Sequence, residues 1–256
     1  MSYSSTTQEI IDRVKCPYRV FTDEDSTVQE VMDEYNKALA RGKEEGFVPA
    51  LVISDDTLAE WLEILEDEDS YSKDEVLSKN RGDAKEILEH RFKEYIEDYV
   101  DDINEDITPE EDDMLLSELM GEKTGGDTLS QFLSISDYNS DGIEETILFE
   151  IPTKNPWELI AWIPMGGWNE CPEVSEMMEV CRYWYEQYGA VPAVFSHDTL
   201  EFMLEKPVTD EEEVWKLAKE HYAFCPDCVD QSTANGTIGE VADRISKSDI
   251  WFFWWD

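Results

Sequence analysis

An internal repeat constrains this chain more than any other feature of it. Gly46 to Glu63 reads GFVPALVISDDTLAEWLE and aligns with Gly189 to Glu205, GAVPAVFSHDTLEFMLE, once Ile53 is skipped. Ten of the seventeen aligned pairs are identical, where background composition would supply about one. The chain therefore carries a duplication or a strong local convergence. Both copies share the same local physics: a Gly to end the preceding helix, a short apolar run for a buried strand, and Ser with Asp to cap a further helix ahead of Thr-Leu. Each copy is expected to be strand, then helix.

Upstream of each copy the spacing predicts an amphipathic helix. One covers Val28 to Ala40 with Val31, Met32, Tyr35 and Leu39 on one face, the other Val174 to Tyr188 with Met177, Met178, Cys181, Trp184 and Tyr185. Candidate strands precede them at Tyr18 to Phe21 and Glu158 to Ile163. The pattern predicts an α/β fold of two related βαβα units with a mixed, largely parallel sheet, because short crossovers favour parallel pairing of fixed hand. Between the copies, Glu66 to Asp113 holds twenty acidic residues against six basic ones. Leu88, Phe92, Tyr95 or Ile96, Tyr99 and Ile103 recur there at helical spacing. A helix over Asp83 to Asp106 should dock by that face and display Glu86, Glu97, Asp101 and Glu105. The rest of the stretch reads as solvated, partly mobile connector. Eight of the nine tryptophans lie from Trp157 onward and the chain ends WFFWWD, a run that demands burial as a Trp-rich C-terminal strand. Three segments result: 1–65, the first βαβα unit; 66–130, an acidic helical connector; and 131–256, the C-terminal unit.

The net charge of -42 repels phosphate backbones and anionic lipid and attracts basic proteins. Neither nucleic acid nor membrane is an expected partner, and solubility alone is the competing explanation of the charge. No run of about 18 apolar residues is present, and MSYSSTTQEIIDRVK lacks the order of a signal peptide. Five cysteines are too few and too odd for a disulfide framework, so free thiols and a cytoplasmic location are expected.

Four blocks in the second half carry a resemblance. PWELIAWIPMGGWNECP from Pro156, RYWYEQYGAVPAVFSHDTLE from Arg182, LAKEHYAFCPD from Leu217 and the closing WFFWWD resemble, in that order, the bacterial domain of unknown function numbered 4253. The likeness spans roughly Asn155 to Asp256 and implies a fold unit, not a reaction. Cys228 stands where that family's pattern carries an aliphatic residue.

Several groups can carry chemistry, each beside a structural reading. Cys225-Pro226-Asp227-Cys228 has the spacing of zinc or dithiol motifs, with His221 the one further ligand near in sequence, but no second such pair exists and the motif follows a helix, so structural thiols are the favoured reading. Asp137, Asn139, Asp141, the Ile143 carbonyl and Glu145 fall at the spacing of an acidic calcium loop, while Leu148 at position twelve excludes an EF-hand. The same residues also suit a plain hairpin turn between Phe132 to Ile135 and Thr146 to Ile151. His197-Asp198 stands at a strand end, where a His can act as general base and an Asp can simply cap a helix. Asn169, Glu170 and Cys171, behind Gly166-Gly167, suit a pocket rim or the capping of a helix.

The expected function is a non-enzymatic, intracellular interaction protein whose anionic surface neutralises a basic partner, as an immunity protein does a toxin. The alternative is a metal-assisted or thiol-dependent enzyme using Asn169, Glu170, Cys171, His197, Asp198, His221 and Cys225. A structural subunit is the third reading. Geometry discriminates them: an enzyme gathers those side chains in one cleft, whereas a binder has them scattered and satisfied.

Overall fold

The computed structural model describes residues 3–67, 71–78, 82–103, 109–138 and 140–256, with backbone alone at 66–67, 98–103 and 109–112. Helix α1 (Ser5–Val14) starts where the Ser4 hydroxyl accepts the Thr7 amide. Strand β1 (Tyr18–Phe21) leads to α2 (Val28–Glu45), which a Thr27/Glu30 capping box opens and left-handed Gly46, at φ 85°, closes. Strand β2 (Val48–Ile53) is buried along its whole length and feeds α3 (Asp56–Asp67). The acidic middle forms α4 (Lys73–Ser78), α5 (Ala84–Ile103) and α6 (Pro109–Met120). Strand β3 (Thr146–Ile151) follows, then a 3-10 turn at Pro156–Glu158, α7 (Leu159–Trp162) and α8 (Val174–Tyr188). Strands β4 (Val191–Phe195) and β5 (Thr199–Met203) form a hairpin. The chain finishes with α9 (Glu211–Phe224), α10 (Asp227–Asp230), α11 (Ile238–Ile245) and β6 (Ile250–Trp254).

All six strands join one mixed sheet in the order β1-β3-β2-β4-β5-β6. The expectation of largely parallel pairing is corrected: β2·β4 is parallel, and the other four pairings are antiparallel. Two features cause this. Strand β3 inserts antiparallel between β1 and β2, and the second DTLE segment is a strand rather than a helix. Glu158 to Ile163 is also not a strand. Pro156 opens a helical turn there, and Asn155 donates to the Glu158 carboxylate at 2.9 Å across its start. The hairpin expected before Thr146 shrinks to one isolated bridge, Ser136 with Ile143.

Half of the repeat is structurally repeated. Helices α2 and α8 both stop on left-handed glycine, Gly46 and Gly189, and the strands that follow lie side by side with Leu51 against Val194 and Val52 against Phe195. Those are the residue pairs that the sequence alignment equates. Beyond them the copies part. DTLAEWLE continues apolar positions at helical spacing, burying Leu58, Ala59 and Leu62. DTLEFMLE is stopped by Pro207, too soon for a packed helix, and its Thr199 to Met203 pair in turn with Trp254 to Ile250.

The sheet has a core on each face. Val31, Tyr35 and Ala38 of α2 cover Leu51, Ile53, Leu148 and Val194 on one side. The other side buries Ala50, Val52, Phe195 and Phe253 beneath α1, α3, α8, α9 and α11. Trp184 centres an aromatic cluster there, stacked on Phe253 at 5.5 Å and edge-on to Trp251 at 5.6 Å. The terminal strand expected from WFFWWD is present, with Trp251 and Trp255 buried and Trp254 half-buried. Helix α5 docks by Leu88, Phe92 and Ile96, and Phe92 and Tyr95 both meet Tyr222 edge-on. Glu86 and Glu97 face solvent. Glu105 and the side chains of Tyr99, Asp101 and Ile103 lie outside the described residues.

Candidate functional site

Parallel β2 and β4 end side by side, and the loops that leave their carboxyl ends gather polar side chains, as open α/β sheets do. Asp55 caps α3: its Oδ1 accepts the Leu58 amide at 2.6 Å and its Oδ2 the His197 amide at 3.2 Å. His197 and Asp198 form the β4–β5 turn, closed by the Ser196 amide on the Thr199 carbonyl. The imidazole lies between two carboxylates, Nδ1 3.2 Å from Asp55 and Nε2 3.4 Å from Asp198. The first contact is close enough for an ion pair without the alignment of a hydrogen bond. The Asp55 carboxylate raises the His197 pKa, against partial burial and with help from Asp198. The raised pKa favours the protonated form, which has no lone pair left to accept a proton. Asp198 is equally committed. It accepts from the Ser196 hydroxyl at 2.7 Å, the Thr199 hydroxyl at 3.0 Å and the Trp254 indole at 2.9 Å.

Asn169, Glu170 and Cys225 lie around this end of the sheet, each held by a contact of its own. Asn169, at φ 44°, donates its amide to the Asp256 carbonyl at 2.6 Å. The Glu170 carbonyl receives the Arg91 guanidinium. Cys225 closes α9 and points its thiol at the Trp254 carbonyl, 3.0 Å away. Burial pushes the Cys171 and Cys225 thiols up, and neighbouring Cys228 adds to the effect at Cys225. Reactive thiolates need the opposite shift. His221 belongs to a different place, the aromatic core, with Trp251 and Phe253 ring centres each 4.7 Å away. Its Nε2 has no hydrogen-bond partner among the described residues, and burial pulls its pKa down to about 3, so it packs as a neutral ring.

The loop read as a calcium site is tied to its surroundings. Asp137 accepts the Ser140 hydroxyl at 2.7 Å, and the Ile143 amide goes to Asp23 at 3.2 Å. Glu145 is turned away to the start of α1, where its carboxylate takes the Ser4 amide at 3.0 Å, the Ser4 hydroxyl at 2.6 Å and the Thr7 hydroxyl. Asp141 is exposed, and Asn139 lies outside the described residues. Among the described residues no group of three or more His, Cys, Asp or Glu is placed to hold a metal ion, at this loop or at Cys225 and Cys228.

Two carboxylates escape sequence reasoning. Asp55 and His197 occupy aligned positions of the repeat, so in-register pairing of the copies would have placed them together. Glu201 is fully buried in β5 and accepts the Leu133 and Ser134 amides at 2.9 and 2.8 Å. Burial raises its pKa to about 7. An acid mid-strand gives no sequence signal of that role.

Residues 147–256 match DUF4253. The model of that family, described as a domain of unknown function, begins inside β3 and takes in β4, β5, β6 and His197, while Asp55 falls outside it. No curated protein and no solved structure matches the chain.

Proposed function

We propose that this protein is a non-enzymatic acidic binder that receives a basic partner on its surface, in the manner of an immunity protein. The observation that carries this reading is the state of the reactive side chains. The thiols of Cys171 and Cys225 are buried and protonated, His221 is packed in an aromatic cluster, and His197 and Asp198 are spent on each other and on the β4–β5 turn. What the molecule leaves unspent is charge, since the positive charges of 20 Lys and Arg can neutralise at most 20 of the 62 negative charges of Asp and Glu. Such a field speeds encounter with a cationic protein and is screened within about 10 Å at 0.1 M salt.

Capture of partners from the native host at low and at high salt tests the reading. A basic protein enriched at low salt and released at high salt is the expected result. Partners that are not basic, or that persist unchanged in high salt, would overturn it.

A further inference from the structure

At the amino ends of β2 and β4, opposite the His197 pair, a cleft of about 1450 Å³ is lined by the carboxyl ends of α2 and α8. Its position follows from the repeat, because both helices stop on glycine just before their strands run together. A helix carboxyl end carries roughly half a negative charge. At α2 the chain supplies its own cation: Lys154 reaches over Gly46, with Cε 3.8 Å from where a Cβ would stand. At α8 the equivalent place is open: none of the described residues beyond its chain neighbours lies within 4 Å of the Cβ position of Gly189.

Glu186, Glu205 and Asp249 line the same cleft, and none has an ion-pair partner among the described residues. The β5·β6 register ends at Met203 against Ile250, and beyond it the Leu204 amide bonds the Asp249 carbonyl at 2.8 Å, which brings Glu205 and Asp249 to one end of the sheet. Asp249 Oδ1 is shielded from water yet accepts no hydrogen bond from the described residues. A buried carboxylate oxygen without a donor is costly unless something supplies one. Tyr185 adds an aromatic ring to the lining, a surface that suits a cation.

We propose that this cleft binds a lysine-bearing segment of a basic partner protein, with one lysine placed at the α8 carboxyl end as Lys154 is placed at α2. The inference rests on the acidic-binder reading and adds a location to it.

The test titrates a hexalysine peptide at low salt into the full chain, into an E205Q/D249N variant, and into an E86Q/E97Q variant altered on α5. Both pairs of changes are isosteric, the only partner lost is the exposed Lys93–Glu97 pair at 3.4 Å among the described residues, and unchanged melting confirms folding. The expected result is about tenfold weaker binding for E205Q/D249N, the loss of charge-assisted contacts, with E86Q/E97Q near the unaltered chain. Equal weakening of both, or weakening of the α5 variant alone, would leave the acidic-binder reading standing and overturn the cleft. No binding of hexalysine by any of the three would count against both. Amide chemical shifts of the unaltered protein give a second readout that needs no variant. Shifts centred on Gly189, Tyr185 and Glu205 support the site, and shifts centred on α5 overturn it.

Discussion

His197 and His221 should make stability depend on pH in opposite senses. An unfolded histidine titrates near 6.5. Asp55 raises the folded His197 value, so its contribution is complete below about pH 6.5 and is lost as pH rises through the folded pKa. His197→Gln should cost roughly 0.5–1 kcal/mol at pH 6, discounted for a half-exposed pair, and little at pH 9, as read from urea midpoints. His221 is held neutral with a pKa of about 3, so below pH 6.5 the unfolded chain takes the proton first and stability drains away. His221→Phe suits the ring cluster and removes an unpartnered nitrogen. It should melt above the unaltered protein at pH 5 and close to it at pH 8, and a lower melting point at both would show a missing hydrogen bond instead. The residue scale was partly legible in sequence. His197 and Asp198 stood out as a strand-end pair, whereas the partnership with Asp55 depends on which strand lies beside β4.

Two octets that share five of their eight residues adopt helix and strand, which makes the element scale instructive. Helix α2, Gly46 and β2, with their counterparts α8, Gly189 and β4, were legible because apolar spacing and a left-handed glycine are local signals. The fate of DTLEFMLE was only half legible: Pro207 limits a helix locally, but the strand that pairs with the segment, β6, lies some fifty residues downstream. Peptides make the contrast measurable. One spanning 54–67 should become helical in trifluoroethanol well before one spanning 197–210, which carries Pro207 in its last third. Comparable helicity in both would mean that β6 overrides an intrinsic helix instead of completing an intrinsic strand. Deleting 251–256 removes most of β6 and strips Trp184, Phe202 and Phe224 of aromatic partners. Loss of a cooperative calorimetric transition is the expected outcome, and an unchanged melting temperature would refute the packing role given to the tail.

At the scale of the whole molecule, the charge of -42 works against compactness as well as towards a partner. Raising sodium chloride from about 10 to 150 mM shortens the screening length to about 8 Å. The melting temperature should rise over that range, and a flat profile in scanning fluorimetry would mean that the carboxylates are already too far apart to repel. The strand order carries a further consequence. In the sheet, β3 and β4 both belong to the matched region, yet they are not neighbours, because β2 lies between them. Cut free, residues 147–256 would hold a slot one strand wide, with about 4.8 Å to either side. Both walls of that slot would expose unpaired amides and carbonyls. What fills it in the intact chain is the other copy of the repeat, so the first half acts as a donor strand to the second, and a peptide carrying residues 46–54 is the natural candidate to complement the fragment in trans.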